Sequence, residues 1–407
     1  MTADSPMDIR SHANQAATRA VSQPHARVRD PRLDFFRGIA MFIILIAHVP
    51  SNWLTLWIPA RFGFSDATEI FVFCSGMASA IAFGAVFRER GWWMGTARVA
   101  YRTWQVYWAH ICLFLAILVT MAALNMLLPD GRDYVGQLNL YPFIRNTEVN
   151  LIGLITLTYV PNYFDILPMY LVILVMIPLM VALARVHVAL ALGASFALWA
   201  AVQIWGFNLP AEPWSERGWF FNPFGWQLVF FTGFALMFGW LPAPPVNRLL
   251  FWSAAALVVL IVPFAYFRIY TEVPALLELR REFSWLIDKT DFGFLRYVHF
   301  LAAAYVAWVL VGEKGANIQP GDQEGPLSYL WRVMLAAIMK VGQQSLAVFI
   351  ASMFLARMLG VIFDQVGRDH FSMAWVNALG VACIIAVAYG AGWFKSQPWR
   401  KQRAAGA

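Results

Sequence analysis

An all-α bundle of about ten membrane-spanning helices is the fold this sequence predicts, on three observations. The chain is 60% apolar and only 13% charged, about half the charge of an ordinary soluble domain. Its apolar residues fall into long runs, most near the roughly 20 residues that a helix needs to cross a bilayer. Its Lys and Arg gather between those runs, the pattern that fixes orientation. A soluble chain of 407 residues would divide into two or three domains, whereas one bundle of spans uses the whole length.

In order, the runs place spans at 33–57, 65–87, 101–128, 163–184, 186–206, 224–241, 248–266, 294–312, 334–359 and 374–394. The fourth and fifth are separated mainly at Arg185. The segment VNLIGLITLTYV, 149–160, is too short to cross and reads as an interfacial or re-entrant piece. Residues 1–32 are polar, lack the apolar core of a signal peptide, and read as a disordered basic cytoplasmic tail. One transmembrane unit then occupies 33–395, and a second basic cytoplasmic tail 396–407.

Arg10, Arg19, Arg27, Arg29 and Arg32 precede span one, Arg88, Arg90 and Arg98 follow span two, and Lys395, Arg400, Lys401 and Arg403 follow span ten. An even number of spans puts all three groups, and both termini, on the cytoplasmic side. The loop 267–293 opposes them with cations of its own, mixed with Glu272, Glu278, Glu282, Asp288 and Asp291. The net charge of +7 therefore reads as topology, and no basic stripe with stacking aromatics suggests nucleic acid. Cys74, Cys112 and Cys383 all fall inside spans, which gives neither a disulfide framework nor metal-ligand spacing. No internal repeat with paired broken helices is visible, which weakens a secondary-transporter reading.

Span one carries the sharpest signal. LDFFRGIAMFIILIAHVPSNWLTLWI contains Asp34, Arg37 and His48 in an apolar run. At about 100° per residue all three fall within an arc of about 60°. Ionisable groups in hydrocarbon cost at least ~3 kcal/mol, so such a stripe faces a bundle interior or a wet cavity. An acid, a fixed cation and a titratable imidazole on one stripe make a candidate reaction site. Arg37 falls near the cytoplasmic face, and His48 about 16 Å further along, in the outer half. Pro50 ends or kinks the helix there. The geometry suits a long substrate entering from the cytoplasm, gripped at Arg37 and reaching His48.

On span three, Arg98 and Arg102 share a face as i, i+4 neighbours. With Arg37 they make a candidate three-Arg anion site, since guanidinium suits bidentate phosphate binding; the alternative is a flank snorkelling to lipid headgroups. His110 points away from that stripe and reads as packing. On span two, Asp66 is either a helix cap or a functional acid, and Glu69, one turn deeper, is level with His48. A carboxylate there could orient His48 or bind an acceptor hydroxyl. Ser75 with Gly76 reads as a close-packing pair rather than a nucleophile.

Asp165, bracketed by Pro161 and Pro168, is either a cap or a second outer carboxylate. Arg296 and His299 lie near the outer end of span eight, the His read as a structural hydrogen-bonder. Lys340, Gln343 and Gln344 share a face of span nine that should look inward. Tyr134, Tyr141, Trp214, Trp219, Phe220 and Phe221 form either an interfacial belt or a carbohydrate-binding surface.

The spacing R-x10-H, Arg37 to His48, resembles the hallmark of the integral membrane acyltransferase superfamily, the acyltransferase-three group. EIFVFCSG (69–76), RVAYRTWQVYW (98–108) and VGQQSLAVF (341–349) resemble its Ser-Gly, Arg-rich and Gly-x-x-Ser-Leu motifs. More narrowly, LDFFRG, SDATEIFVFCSG and PNYFDILPMY together resemble the OpgC family, over nearly the whole chain from Arg32 to about 395. Phe71-Val72 departs from the double aromatic of the wider superfamily and fits the narrower family.

The resemblance implies a multi-pass protein of the bacterial inner membrane that transfers succinyl groups to osmoregulated periplasmic glucans. Acyl-CoA is then a co-substrate rather than a tightly bound cofactor, and a periplasmic glucan or other polysaccharide the acceptor. Arg37, Arg98 and Arg102 would hold the nucleotide phosphates, and His48 would be the general base. Glu69 or Asp165 would orient the imidazole or the sugar, and Asp34 completes the stripe. No Ser or Cys is placed for a covalent acyl-enzyme, so direct transfer is preferred. A polytopic transporter or channel, an O-acyltransferase for another surface polysaccharide or lipid, and a non-catalytic partner in glucan export are the alternatives. A succinyl group also calls for a cation near the thioester end, for which Arg296 and Lys340 are candidates.

Overall fold

The computed structural model describes residues 30–128, 131–321 and 325–400. Most of the two expected tails, residues 1–29 and 401–407, lie outside them. Among the described residues the chain is helical almost throughout, with a lone backbone bridge between Pro210 and Gly218 and no strand. In order the helices are α1 (Pro31–His48), α2 (Ala67–Glu89), α3 (Gly91–Leu127), α4 (Tyr141–Arg145), α5 (Thr147–Thr156), α6 (Ile166–Val186), α7 (Val188–Trp205) and α8 (Pro223–Phe238). They continue as α9 (Arg248–Ala265), α10 (Phe267–Tyr270), α11 (Pro274–Glu282), α12 (Phe294–Val311), α13 (Pro326–Gln343), α14 (Ser345–Val366) and α15 (His370–Ser396).

Eight described helices, α2, α3, α6, α7, α9, α12, α14 and α15, are long and apolar enough to cross a membrane. The polytopic all-α bundle is therefore present. The remaining two expected spans are α1, whose 18 residues include Arg32, Asp34 and Arg37, and α8, which has 16. Two boundaries are corrected. The first helix stops at His48 rather than 57, and the ninth span divides at Gln344 into α13 and α14. The segment at 149–160 forms α5, whose 10 residues span only about 15 Å, and it ends at a left-handed Leu157.

Helix α2 is the centre of the bundle, packing along α8, α1 and α3. Its fit to α8 is backbone to backbone. A Cβ at Gly76 would strike the Phe230 carbonyl, and one at Gly233 the Phe73 carbonyl. The pairing expected of Gly76 is thus close helix approach. Helix α1 is enclosed by α2, α13 and α14. Gly342 of α13 lies against the Asp34 carbonyl, and Gly38 of α1 against that of Ile338.

The ends of α1 are set locally. Asp30 caps it by accepting from the Arg32 N–H at 3.0 Å, with Pro31 at the first turn. Burial acts to raise the Asp30 carboxyl, but the hydrogen bonds and charge of Arg32 hold it below its ordinary value. At the other end Val49 is extended, as a residue before proline must be. The Pro50 ring seats on Gly360 of α14, and the Asn52 and Asn377 amides bond each other at 2.7 and 3.2 Å. These contacts fix the helix end that carries His48.

Candidate active site

The polar residues of α1 make two separate places. At the N-terminal end, Asp34 is buried and Arg37 half-buried. Arg37 donates through Nη2 to Ser345 Oγ, the first residue of α14. Both Asp34 and Arg37 are near enough to Cys74 on α2 to act on its thiol electrostatically. Ser345 belongs to the VGQQSLAVF segment, so two motifs 308 residues apart meet in one hydrogen bond.

At the C-terminal end, His48 is the last residue of α1. Its Nδ1 lies 2.7 Å from the Ile44 carbonyl one turn back. A carbonyl only accepts, so Nδ1 carries the proton and Nε2 is left as the acceptor. The Tyr163 ring stands edge-on to the imidazole at 5.6 Å, interplanar angle 77°. Tyr163 has φ 89°, in the left-handed region, and its hydroxyl donates to the Met353 carbonyl at 2.5 Å. Arg357 of α14 lies 5.6 Å from the same ring and donates to Gln137 at 2.9 Å. The charged groups that act on the His48 ring are Lys289, Asp66 and Arg357.

Beside this, two acids of α2 hold two distant cations. Asp66 caps α2 through the Thr68 N–H at 2.7 Å and takes the Lys289 ammonium at 2.5 Å. Glu69 completes the capping box on the Asp66 N–H at 2.7 Å and pairs with Arg296 of α12 at 3.1 Å. Arg296 also donates to the Phe64 carbonyl. His299 receives the Ser65 N–H at 3.3 Å and lies 2.8 Å from its hydroxyl, a structural hydrogen-bonding role.

Each residue expected at the site has a definite place. Glu69 is engaged by Arg296 and the Asp66 N–H, and no hydrogen bond among the described residues joins it to His48. Asp165 is buried at the start of α6, where its charged neighbour is Arg217 and its neighbouring backbone includes Phe220 and Tyr163. On α3, Arg98 is exposed and Arg102 donates to Gln105 at 3.3 Å, along the same helix. Helices α1 and α3 both pack on α2. Lys340 covers the exposed Tyr389 ring of α15 at 5.5 Å. Of the outer aromatics, Tyr134 and Trp219 are buried, whereas Trp214 and Phe220 are exposed.

Sequence reasoning missed Tyr163, Arg357 and Lys289. Arg357 had a visible signal, a lone cation in the apolar run MFLARML, which is the rule that found Arg37. Lys289 had none, because it lies in a mixed-charge loop 223 residues from Asp66.

A family model described as OpgC protein matches residues 29–396, nearly the whole chain. No curated protein and no solved structure matches it.

Proposed function

The chain belongs to the OpgC family, and from that premise we propose that it is a membrane O-acyltransferase of the acyltransferase-three type, moving a succinyl group from acyl-CoA to a glucan hydroxyl. On this reading both termini lie in the cytoplasm and His48 towards the outside of a bacterial inner membrane, which the clusters of Lys and Arg favour. Acyl-CoA enters from the inner side. Its phosphates meet Arg37, with Arg98 and Arg102 completing the approach from α3, and its thioester reaches the outer half of α1.

The single observation that carries this reading is the His48 tautomer. With Nδ1 donating to the Ile44 carbonyl, Nε2 offers its lone pair to a hydroxyl proton. The acceptor oxygen attacks the thioester carbonyl carbon as Nε2 takes that proton. The C–S bond then breaks, and the imidazolium returns the proton to the departing sulfur, giving an ester and free CoA thiol. Asp66, Lys289 and Arg357 set the field in which this exchange occurs, and Glu69 holds Arg296 beside them. Asp34 sits by Arg37 at the inner end, and Asp165 supports the loop that carries Tyr163.

The test is thiol release from succinyl-CoA by the purified protein reconstituted in vesicles, with and without periplasmic glucan. Glucan-dependent release in the wild type, lost in His48→Ala, is expected. Absence of release from succinyl- or acetyl-CoA, with solute flux across the same vesicles, would replace the reading with a transporter.

A further inference from the structure

On the outer side, between the 60–66 loop, α11 and the start of α12, lies a cavity of about 100 Å3 lined in part by Phe64, Asp66, Arg280 and Arg296. Three ionisable side chains line it, Asp66, Arg280 and Arg296. Asp66 holds Lys289 and Glu69 holds Arg296, which leaves Arg280 as the third cation against two acids. Its partners are neutral: the Phe264 carbonyl at 2.6 Å, and the Phe64 and Tyr270 rings at 5.9 and 4.6 Å. Among the described residues no carboxylate pairs with Arg280. Arg280 therefore brings to the cavity a positive charge that neither of those two ion pairs balances.

Unused donors accompany that charge. Arg296 is only 7% exposed, and its Nε is buried without a hydrogen-bond partner. Arg280 has five N–H donors, of which one bond, from Nη1 to the Phe264 carbonyl, is formed within the protein. A group that binds here carries one negative charge and accepts several hydrogen bonds from guanidinium forks, which describes a carboxylate. The volume holds several waters, enough for a carboxylate and its methylene, and is below the ~300 Å3 of sites that enclose larger ligands. Asp66 lines the cavity and is one of the charges acting on His48.

We propose that this cavity is a carboxylate subsite, and that it receives the free carboxylate of a dicarboxylic acyl group whose thioester faces His48. The identity of the acyl source rests on the acyl-transfer reading above; the carboxylate site itself does not. Arg280 is then the residue that separates dicarboxylic donors from monocarboxylic ones of similar length.

The experiment has two arms on the purified full chain. The first is thermal unfolding with succinate, acetate or inorganic phosphate. Saturating succinate is expected to raise the wild-type midpoint by about 2 °C or more, and to do so far less in Arg280→Gln. The second is turnover of succinyl-CoA against acetyl-CoA. Arg280→Gln is expected to lower the ratio at least tenfold, and Arg280→Lys, which keeps the charge, to restore part of it. If Arg280→Gln fails to fold, Arg280→Lys carries both arms, with a smaller loss in each. Protection by phosphate and not succinate would overturn the proposal in favour of a phosphate-bearing acceptor or headgroup. Equal loss of both donors, or an unchanged ratio, would overturn it too. Succinate protection without thioester cleavage would retain the subsite while removing the acyl-transfer reading.

Discussion

The two ends of α1 hold their polar groups by opposite means. At the N-terminal end, α1 and α13 meet through Gly38 and Gly342, and Arg37 is gripped by Ser345 at the first turn of α14. At the C-terminal end, His48 is held by its own helix and by the edge of one ring, while the charges around it come from distant segments. The N-terminal end is built to keep a cation in place in a low-dielectric setting. The C-terminal end leaves one nitrogen of a titratable ring uncommitted. The first arrangement suits a group that binds, the second a group that reacts.

The largest test of this difference is His48→Ala. A general base is worth about 10²–10⁴-fold, so thiol release should fall by that factor, with insertion and the melting midpoint close to wild type. Activity above a tenth of wild type would take the chemistry away from His48. Next is Glu69→Ala, which leaves Arg296 buried without its acid. Losing one partner of a buried pair costs about 3–5 kcal/mol; reduced monodisperse yield and a lower midpoint should show it, with Glu69→Gln milder. Preserved stability would mean that Arg296 finds another anion.

Smaller effects sharpen the contrast. Ser345→Ala removes a hydrogen bond from a charged group, worth about 1.5–3 kcal/mol. Read as steady-state kinetics, it should raise KM for acyl-CoA roughly tenfold or more, with a smaller change in kcat; the reverse split would make Ser345 part of the chemistry proposed at His48. Tyr163→Phe keeps the ring beside His48 and removes only the bond to Met353. About 0.5–1.5 kcal/mol is at stake, which predicts a few-fold drop in kcat and no change in KM.

Much of the architecture was legible because bilayer-crossing runs are written in composition. The exceptions have local causes. Helix α1 ends early because Pro50 excludes Val49 from helical geometry, although the apolar run continues to 57. The break at Gln344 has no proline to announce it, although the polar stretch from Lys340 to Ser345 interrupts the apolar run there. At the site, Arg37 and His48 were visible because helical periodicity put them on one stripe. The engagement of Glu69 and Asp66 was not, since Arg296 and Lys289 reach them from more than 200 residues away. One sequence carries no record of that proximity. The same limit applies to Tyr163, which belongs to a loop and whose relation to His48 depends on how α6 packs.

Tyr163 also shows how a side chain can hold its own backbone where it would not otherwise rest. A bulky residue at φ 89° sits where an L side chain is disfavoured, at a cost of order 1–3 kcal/mol. Glycine would adopt that backbone freely, but it would give up the packing of the ring on the core and the hydroxyl bond to Met353, which together are worth as much or more. The course of this loop is therefore set by what the ring buries, not by what its backbone prefers.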